Sequence, residues 1–209
     1  MNLMLIVCLI IAYLLGSIPN AVWYGKLFFG MDVREHGSGN AGATNVLRTF
    51  GNKAGFIVFF LDFLKGFIAT KLPDWFSLCD KSDLLNYQML FAVSAVVGHM
   101  LPVFAQFKGG KGIAVIFADV CAMDYRVALI CISVFILFVA VTKFISVGSM
   151  IGSCTSPFVV GFLYDWKEYG FMTFCAAIGI MVVYTHRKNI KRLIAGNENK
   201  FTFSKKGTQ

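Results

Sequence analysis

Three short polar segments in this chain carry groups that suit a phosphate. The first is GSGNAGATN at residues 37–45, which we call the glycine loop. Glycines let the backbone approach a ligand closely, and successive N–H groups in such turns form anion-binding nests. The loop also holds four neutral hydrogen-bonding side chains: Ser38, Asn40, Thr44 and Asn45. Arg34 and Arg48 flank it with fork-shaped guanidinium groups, so the segment predicts a phosphate site.

The glycine loop also spells Gly37-x-Gly39-x-x-Gly42, the pattern of a dinucleotide-binding turn. That turn must follow a β-strand and open a helix, with an acid about 20 residues further on. Here the loop follows an apolar run of membrane-helix length, and the nominal acid, Asp62, lies inside the next apolar run. The motif is present but the strand–turn–helix context that it requires is not, so we expect no bound dinucleotide.

The second segment is KGGKG at residues 108–112, which we call the lysine loop. Its Gly109 and Gly110 give backbone amides, and Lys108 and Lys111 give ammonium groups, which together suit a phosphate. A nucleotide P-loop needs Ser or Thr after the second lysine, and Gly112 stands there instead. The alternative is a flexible turn whose lysines only fix the membrane orientation.

The third segment is THRKNIKRLIAGNEN at residues 185–199, directly after the last apolar run. On a helix, His186 and Asn189 would share a face because they are three residues apart. Ser146 opens another apolar run and could hydrogen-bond a ligand at the same membrane face, or it could cap that helix or bond its backbone. The alternative is a basic helix attracted to anionic lipid.

The motifs of covalent and metal-assisted catalysis are missing from the sequence. It contains no G-x-S-x-G turn, no cysteine beside a histidine and no ligand spacing typical of zinc. The six cysteines lie mostly in apolar runs and read as small buried hydrophobic residues. We therefore expect neither a metal nor a cofactor, and a site that positions and neutralises phosphates.

The composition places these segments in a membrane protein. Of the 209 residues, 57% are apolar and only 14% are charged, against about 25% charged in soluble domains. The net charge of +8 fits cytoplasmic loops rich in lysine and arginine better than a nucleic-acid partner. The polar segments do not lie in the middle of apolar runs, which argues against a transporter. A lipid-binding scaffold would need the charge but not the glycine-rich loops.

Apolar runs predict seven membrane helices in one domain that covers residues 1–209, an all-α integral membrane bundle. The predicted helices lie at about 3–26, 53–72, 86–103, 112–123, 127–144, 147–164 and 169–186. With the N-terminus outside, 14 of the 19 Lys and Arg residues fall inside, which also puts the C-terminus in the cytoplasm. We expect Asp62 and Lys65 to pair with each other or to face the bundle interior, and Asp119, near the outer end of its helix, to reach water.

Five strings together resemble the bacterial acyl-phosphate:glycerol-3-phosphate acyltransferases, the PlsY family. They are GSIP at 16–19, GSGNAGATNVLR at 37–48, DFLKG at 62–66, GHMLPVFAQFKGGKG at 98–112 and HRKNIKRLIAGNENK at 186–200. The resemblance runs almost end to end. Leu101 and Val115 depart from the residues common in the family, an aromatic residue and threonine.

The resemblance implies an enzyme of the bacterial cytoplasmic membrane with its active site on the cytoplasmic side. It would move a fatty acyl group from acyl phosphate to the 1-hydroxyl of glycerol 3-phosphate, among membrane lipids and without a cofactor. The implied catalytic residues are Ser38, Asn40, Lys108 and His186. The implied substrate-binding residues are Gly39, Gly42, Thr44, Asn45, Arg48, Gly109, Gly110, Lys111, Ser146 and Asn189. The base stays open between His186 and a substrate phosphate.

Overall fold

The structure, a computed structural model, describes residues 3–201 of the chain, which are helical with turns and have no strand among them. The all-α prediction is confirmed for these residues. They form two compact units, residues 3–123 and 124–201. The glycine and lysine loops belong to the first unit, and Ser146, His186 and Asn189 belong to the second.

The predicted first helix is broken in two. Helix α1 runs over Leu3–Ser17 and helix α2 over Asn20–Phe29, and the two axes differ by 42°. Pro19 explains the break, because proline lacks an N–H group and disfavours helical geometry in the residue before it, here Ile18. The sequence prediction of one helix at about 3–26 is corrected in this respect.

Four further helices complete the first unit. They are α3 (Ala43–Phe50), α4 (Asn52–Trp75), α5 (Leu84–Met100) and α6 (Ile113–Met123). Helix α4 packs against all the other helices of the unit, and α1 packs closely on α5. Glycine permits that approach, because a Cβ on Gly98 would collide with the Tyr13 carbonyl oxygen.

The second unit is a row of helices: α7 (Tyr125–Thr142), α8 (Ile145–Leu163), α9 (Tyr169–Thr185) and α10 (Arg187–Ile194). Helix α8 packs between α7 and α9. The residues after α10 fold back, and the backbone N–H of Phe201 donates to the Lys143 carbonyl oxygen at 2.6 Å. This return brings the end of the described chain to the α7–α8 turn, beside Ser146.

Three stretches of the described residues are long and apolar enough to cross a membrane: Leu84–Ala105, which includes α5, and helices α7 and α8. The number rises to five if the bent pairs α1–α2 and α9–α10 each form one span. Helix α4 is also long, but it carries five charged side chains. Helix α6 is apolar but has only 11 residues. Seven spans and the orientation therefore stay predictions.

Two predictions about charged side chains within helices have opposite outcomes. Lys65 Nζ lies 3.0 Å from Asp62 Oδ1, which confirms that these two residues pair. Asp119 was expected to reach water, but its side chain is buried and its Oδ1 accepts a hydrogen bond from Thr70 Oγ1 at 2.9 Å. The expectation was wrong because α6 packs Asp119 against α4.

Candidate active site

Asn45 shapes the glycine loop from its centre. Its Oδ1 accepts from the backbone N–H of Ser38 at 2.8 Å, and its Nδ2 donates to the carbonyl oxygens of Val33 and His36, both at 2.9 Å. The side chain is 1% exposed. A buried amide with these three bonds fixes the path of the backbone on both sides of the loop. We therefore assign Asn45 a positioning role in addition to the binding role expected from the sequence.

The loop takes a path that requires glycine. Gly37 and Gly39 have φ angles of +60° and +72°, a region that other residues rarely occupy. A Cβ on Gly37 would also collide with Asn45 Oδ1. The backbone at Gly37 therefore packs directly against the Asn45 side chain. This packing accounts for the glycine, and no bound dinucleotide is needed to explain it.

Apolar packing anchors both ends of the glycine loop. Val33 before it, Ala41 within it and Val46 after it are all buried in one cluster with residues of α2 and α4. Helix α3 begins at Ala43, and Gly42 at the capping position before it has no side chain to cap the first turn. The loop thus runs from a buried core into a helix N-terminus whose amide groups suit negative charge.

The guanidinium of Arg34 makes all its observed hydrogen bonds to groups of the protein. Its Nη2 donates to Asp32 Oδ2 at 2.7 Å, its Nε donates to Asp32 Oδ1 at 2.9 Å, and its Nη1 donates to the Ala105 carbonyl oxygen at 3.1 Å. The hydrogen bond from Arg34 is the main reason why the pKa of the Asp32 carboxyl lies well below its ordinary value. Arg34 therefore links the approach to the glycine loop with the approach to the lysine loop, and its charge is largely offset by Asp32.

Several polar side chains of the glycine loop remain available for a ligand. Within residues 3–201, no hydrogen bond within the protein engages the side chains of Ser38, Asn40 and Thr44. All three are half-buried. Because Asn45 fixes the backbone, the loop does not need the side chains of Ser38, Asn40 and Thr44 to keep its shape, and they can bind a ligand. A loop shaped by one residue and able to bind through others is typical of a preorganised site.

The lysine loop lies against the glycine loop. The N–H groups of Gly109 and Gly110 donate to the carbonyl oxygens of Met100 and His99, both at 3.2 Å. A Cβ on Gly110 would lie 2.8 Å from the Ala41 carbonyl oxygen, so the two backbones nearly touch there. Lys108 is exposed and Lys111 is half-buried. The structure therefore brings the two loops together at Gly110 and Ala41, and it uses the N–H groups of Gly109 and Gly110 within the protein.

In the second unit, Glu198 gathers the polar side chains. Its Oε1 accepts from Ser146 Oγ at 3.1 Å and from Asn189 Nδ2 at 2.7 Å, and its Oε2 accepts from Arg192 Nε at 2.7 Å. Ser146 and Asn189, predicted as substrate-binding residues, are thus joined through a carboxylate that the sequence analysis did not single out. A signal was present, since Glu198 is the only acid among the six charged residues at 187–200.

Burial opposes ionisation of Glu198, but the hydrogen bonds from Arg192, Asn189 and Ser146 outweigh it, so the pKa of this carboxyl is lowered. The ionised form is therefore favoured more in the folded than in the unfolded protein. The stabilisation is fully present above the ordinary pKa of 4.5 and is lost as the pH falls through the lowered folded value.

We expect the Glu198→Gln variant to be less stable than the wild type by about 2 kcal/mol at neutral pH, because hydrogen bonds to a charged group are lost. Its unfolding temperature should also fall less steeply than that of the wild type as the pH drops below 4.5. Thermal unfolding of the full chain in detergent, measured from pH 7 to pH 3, checks both points. Parallel curves for the two proteins would contradict the assignment.

His186 lies at the junction of α9 and α10 and is buried. Its Nδ1 is 2.8 Å from the Val182 carbonyl oxygen. Because a carbonyl oxygen only accepts, Nδ1 carries the proton, and in the neutral ring Nε2 holds the lone pair. The atom of His186 that can accept a proton is therefore Nε2.

The described residues form a helical protein with apolar helices, two adjoining glycine-rich loops that suit a phosphate, and a second polar group held together by Glu198. Comparison with known proteins identifies the family to which the chain belongs. A family model described as glycerol-3-phosphate acyltransferase matches residues 6–196. The chain therefore belongs to the glycerol-3-phosphate acyltransferase family and is an acyltransferase, which confirms the resemblance seen in the sequence.

Individual relatives agree with this. The chain is 42% identical over 198 residues to a glycerol-3-phosphate acyltransferase of Bacillus cytotoxicus, a match that covers 95% of this chain and 96% of the relative. It is 38% identical over 200 residues to that of Listeria monocytogenes, covering 96% and 98%.

Solved structures resemble the fold as well. A crystal structure of PlsY, an integral membrane glycerol 3-phosphate acyltransferase in its glycerol 3-phosphate form, superimposes with a TM-score of 0.85 at 37% identity and covers 95% of this chain and 96% of that one. The lysophosphatidic acid form gives a TM-score of 0.79 at 34% identity and covers 96% of both chains. The likeness to an integral membrane protein supports the membrane character inferred from the composition.

Proposed function

We propose that the protein transfers a fatty acyl group from acyl phosphate to the 1-hydroxyl of sn-glycerol 3-phosphate. The products are 1-acylglycerol 3-phosphate and inorganic phosphate, and the reaction is the first acylation of phospholipid synthesis. The observation that carries the proposal is the glycine loop, where Asn45 holds the backbone and the side chains of Ser38, Asn40 and Thr44 have no hydrogen bond within the described residues. Crystal forms of the relative PlsY with glycerol 3-phosphate and with lysophosphatidic acid support the acceptor and the product.

In the proposed reaction, the 1-hydroxyl oxygen of glycerol 3-phosphate attacks the carbonyl carbon of acyl phosphate. The bond from that carbon to the phosphate oxygen breaks, and phosphate leaves with the electron pair. Acyl phosphate is already activated, so the enzyme needs donors for the developing negative charge rather than a nucleophile of its own. Ser38 and Asn40 take this role at the carbonyl, with Gly39, Gly42 and Thr44 lining the loop.

Positive charge stabilises the phosphate groups in this scheme. Arg48, Lys108 and Lys111 bind phosphate through charge-assisted hydrogen bonds. Gly109 and Gly110, whose N–H groups donate to Met100 and His99, let the phosphate approach the loop backbone closely. Ser146, His186 and Asn189 orient glycerol 3-phosphate. The hydroxyl proton passes either to His186 Nε2 or to a substrate phosphate. Both acceptors keep the reaction balanced, and neither requires a cofactor.

We further propose that residues 1–209 act as one membrane-embedded domain with seven spans in the bacterial cytoplasmic membrane. The N-terminus lies outside, and the site faces the cytoplasm. The distribution of lysine and arginine supports this orientation. Membrane lipid then surrounds the apolar helix faces, on which side chains such as Phe162, Ile180 and Val141 are exposed.

A donor comparison tests the function. The purified full chain in lipid vesicles is supplied with glycerol 3-phosphate and either palmitoyl phosphate or palmitoyl-CoA, and lysophosphatidate and released phosphate are measured. We expect both products with palmitoyl phosphate only. Transfer from palmitoyl-CoA alone would replace the proposed donor, and no transfer from either donor would refute the acyltransferase proposal for this chain.

A further inference from the structure

A cluster of ionisable side chains is buried in the first unit. Asp62 and Lys65 of α4 and His99 of α5 are 2%, 5% and 7% exposed. Burying ionisable groups in a helical bundle is costly unless they are paired and hydrogen-bonded. A cluster of this kind therefore calls for a role that apolar side chains could not fill.

One side of the cluster holds the break between α1 and α2. Lys65 Nζ donates to Asp62 Oδ1 at 3.0 Å and to the Ile18 carbonyl oxygen at 2.7 Å. Asn20 Nδ2, at the start of α2, donates to the same Asp62 Oδ1 at 3.0 Å. The helix break has backbone groups that Pro19 leaves without helical partners, and the ion pair supplies a partner for one of them.

The other side of the cluster faces the lysine loop. His99 Nδ1 lies 3.7 Å from Asp62 Oδ1, beyond hydrogen-bond distance, and makes no hydrogen bond within the described residues, so Asp62 acts on the ring by electrostatic contact alone. The opposite edge of the ring lies against Gly110, where an added Cβ would collide with Nε2. The carbonyl oxygen of the same histidine accepts the N–H of Gly110 at 3.2 Å. His99 thus touches the middle of the lysine loop through both its ring and its backbone.

We propose that Asp62, Lys65 and His99 form a platform that positions the lysine loop. The Asp62–Lys65 pair holds the break between α1 and α2. Asp62 also orients the His99 ring, and the ring sets the position of the Gly110 backbone. Gly110 in turn lies against Ala41 of the glycine loop. These three are positioning residues, because they act on the phosphate-binding groups through the loop backbone.

The consequence for catalysis rests on the proposed function, in which the lysine loop binds phosphate. Binding through the ammonium groups of Lys108 and Lys111 requires the loop that carries them to be held in one geometry before the ligand arrives. A displaced platform should therefore weaken binding of a phosphorylated substrate more than it slows the chemical step.

The first test measures the loop itself and needs no activity. Hydrogen–deuterium exchange of the amides of Gly109 and Gly110 is followed in the full chain in detergent, for the wild type and Asp62→Asn. Asp119→Asn is the matched control, because Asp119 is also a buried carboxyl that packs on α4 but hydrogen-bonds Thr70. We expect about tenfold faster exchange in Asp62→Asn, a loss of about 1.4 kcal/mol of protection, and wild-type exchange at these amides in Asp119→Asn.

If Asp62→Asn does not fold, a second variant tests whether the cluster positions the lysine loop. In His99→Asn, the shorter side chain keeps a donor near the position of Nδ1 but leaves the contact with Gly110 empty. Its lysine-loop amides should exchange about tenfold faster as well. Wild-type exchange at Gly109 and Gly110 in His99→Asn, or in a folded Asp62→Asn, would overturn the proposal whatever the activity of the protein.

The kinetic arm separates positioning from general stability. KM for at least one of the two phosphorylated substrates should rise about tenfold in His99→Asn, equivalent to about 1.4 kcal/mol, with a smaller change in kcat. Asp119→Asn should lower the unfolding temperature without changing either KM. If His99→Asn, like Asp119→Asn, lowers the unfolding temperature and changes neither KM, the cluster has a structural role only and the proposal fails. If the wild type transfers no acyl group, the proposed function fails, and the exchange result still tests the platform.

Discussion

Replacing Ser38 by alanine is expected to lower kcat by about a hundredfold or more, the usual cost of removing one donor to a developing oxyanion. The loop should keep its shape, because Asn45 holds the backbone N–H of residue 38 and not its hydroxyl. Unfolding should therefore occur at the wild-type temperature. The measurement is turnover of palmitoyl phosphate with saturating glycerol 3-phosphate, beside thermal unfolding of the same preparation.

Ser94→Ala is the matched control for that variant. Ser94 is a serine of α5 whose hydroxyl, among residues 3–201, donates to the Leu90 carbonyl oxygen of its own helix and to no other group. It should keep wild-type turnover. Full activity in Ser38→Ala would move the reacting carbonyl away from the glycine loop, and equal losses in both variants would indicate a general effect on the protein.

The Asn45→Asp variant should lose both activity and stability. The new carboxylate can still accept from the N–H of Ser38, but it presents an acceptor to the carbonyl oxygens of Val33 and His36, where Nδ2 donated. The Val33 and His36 carbonyl oxygens would each keep one backbone hydrogen bond. Losing the two bonds from Nδ2 and placing a carboxylate against both carbonyl oxygens should cost about 3 kcal/mol. With its loop displaced, the enzyme should retain less than about one hundredth of its kcat/KM.

The control for this variant is Asn86→Asp, the same chemical change at an exposed position of α5. It should leave turnover and the unfolding temperature unchanged. Unfolding curves in detergent and kcat/KM for both substrates are compared across the three proteins. A stable and active Asn45→Asp would show that the loop does not depend on this side chain.

The long helices were predictable from the sequence because their signal is local. Apolar runs of membrane length mark α5, α7, α8 and α9, and the structure places each within a few residues of the predicted position. Helix α3 was missed, since its eight residues form a stable helix only when Val46 and Phe50 pack against the core of the first unit. Such packing leaves no signal in a short stretch of sequence.

The candidate site was predictable as residue types but not as an arrangement. Glycine, serine and lysine marked both loops of the first unit. The division between groups that shape a loop and groups that remain available depends on contacts across many residues, such as the bond from Ser146 to Glu198, 52 positions later. Asn45 and Ser38 look alike in the sequence as polar loop residues, and only the packing around Asn45 separates their roles.

The hydrogen bond from Arg34 to the Ala105 carbonyl oxygen joins positions that are 71 residues apart. Closing the intervening chain into a loop costs conformational entropy before the contact offsets it, so we expect contacts of such separation to form after the local helices. In this protein that chain includes α3, α4 and α5. The two phosphate-suited loops should therefore acquire their geometry in the last stage of folding, so that a newly made chain gains activity later than it gains helix content.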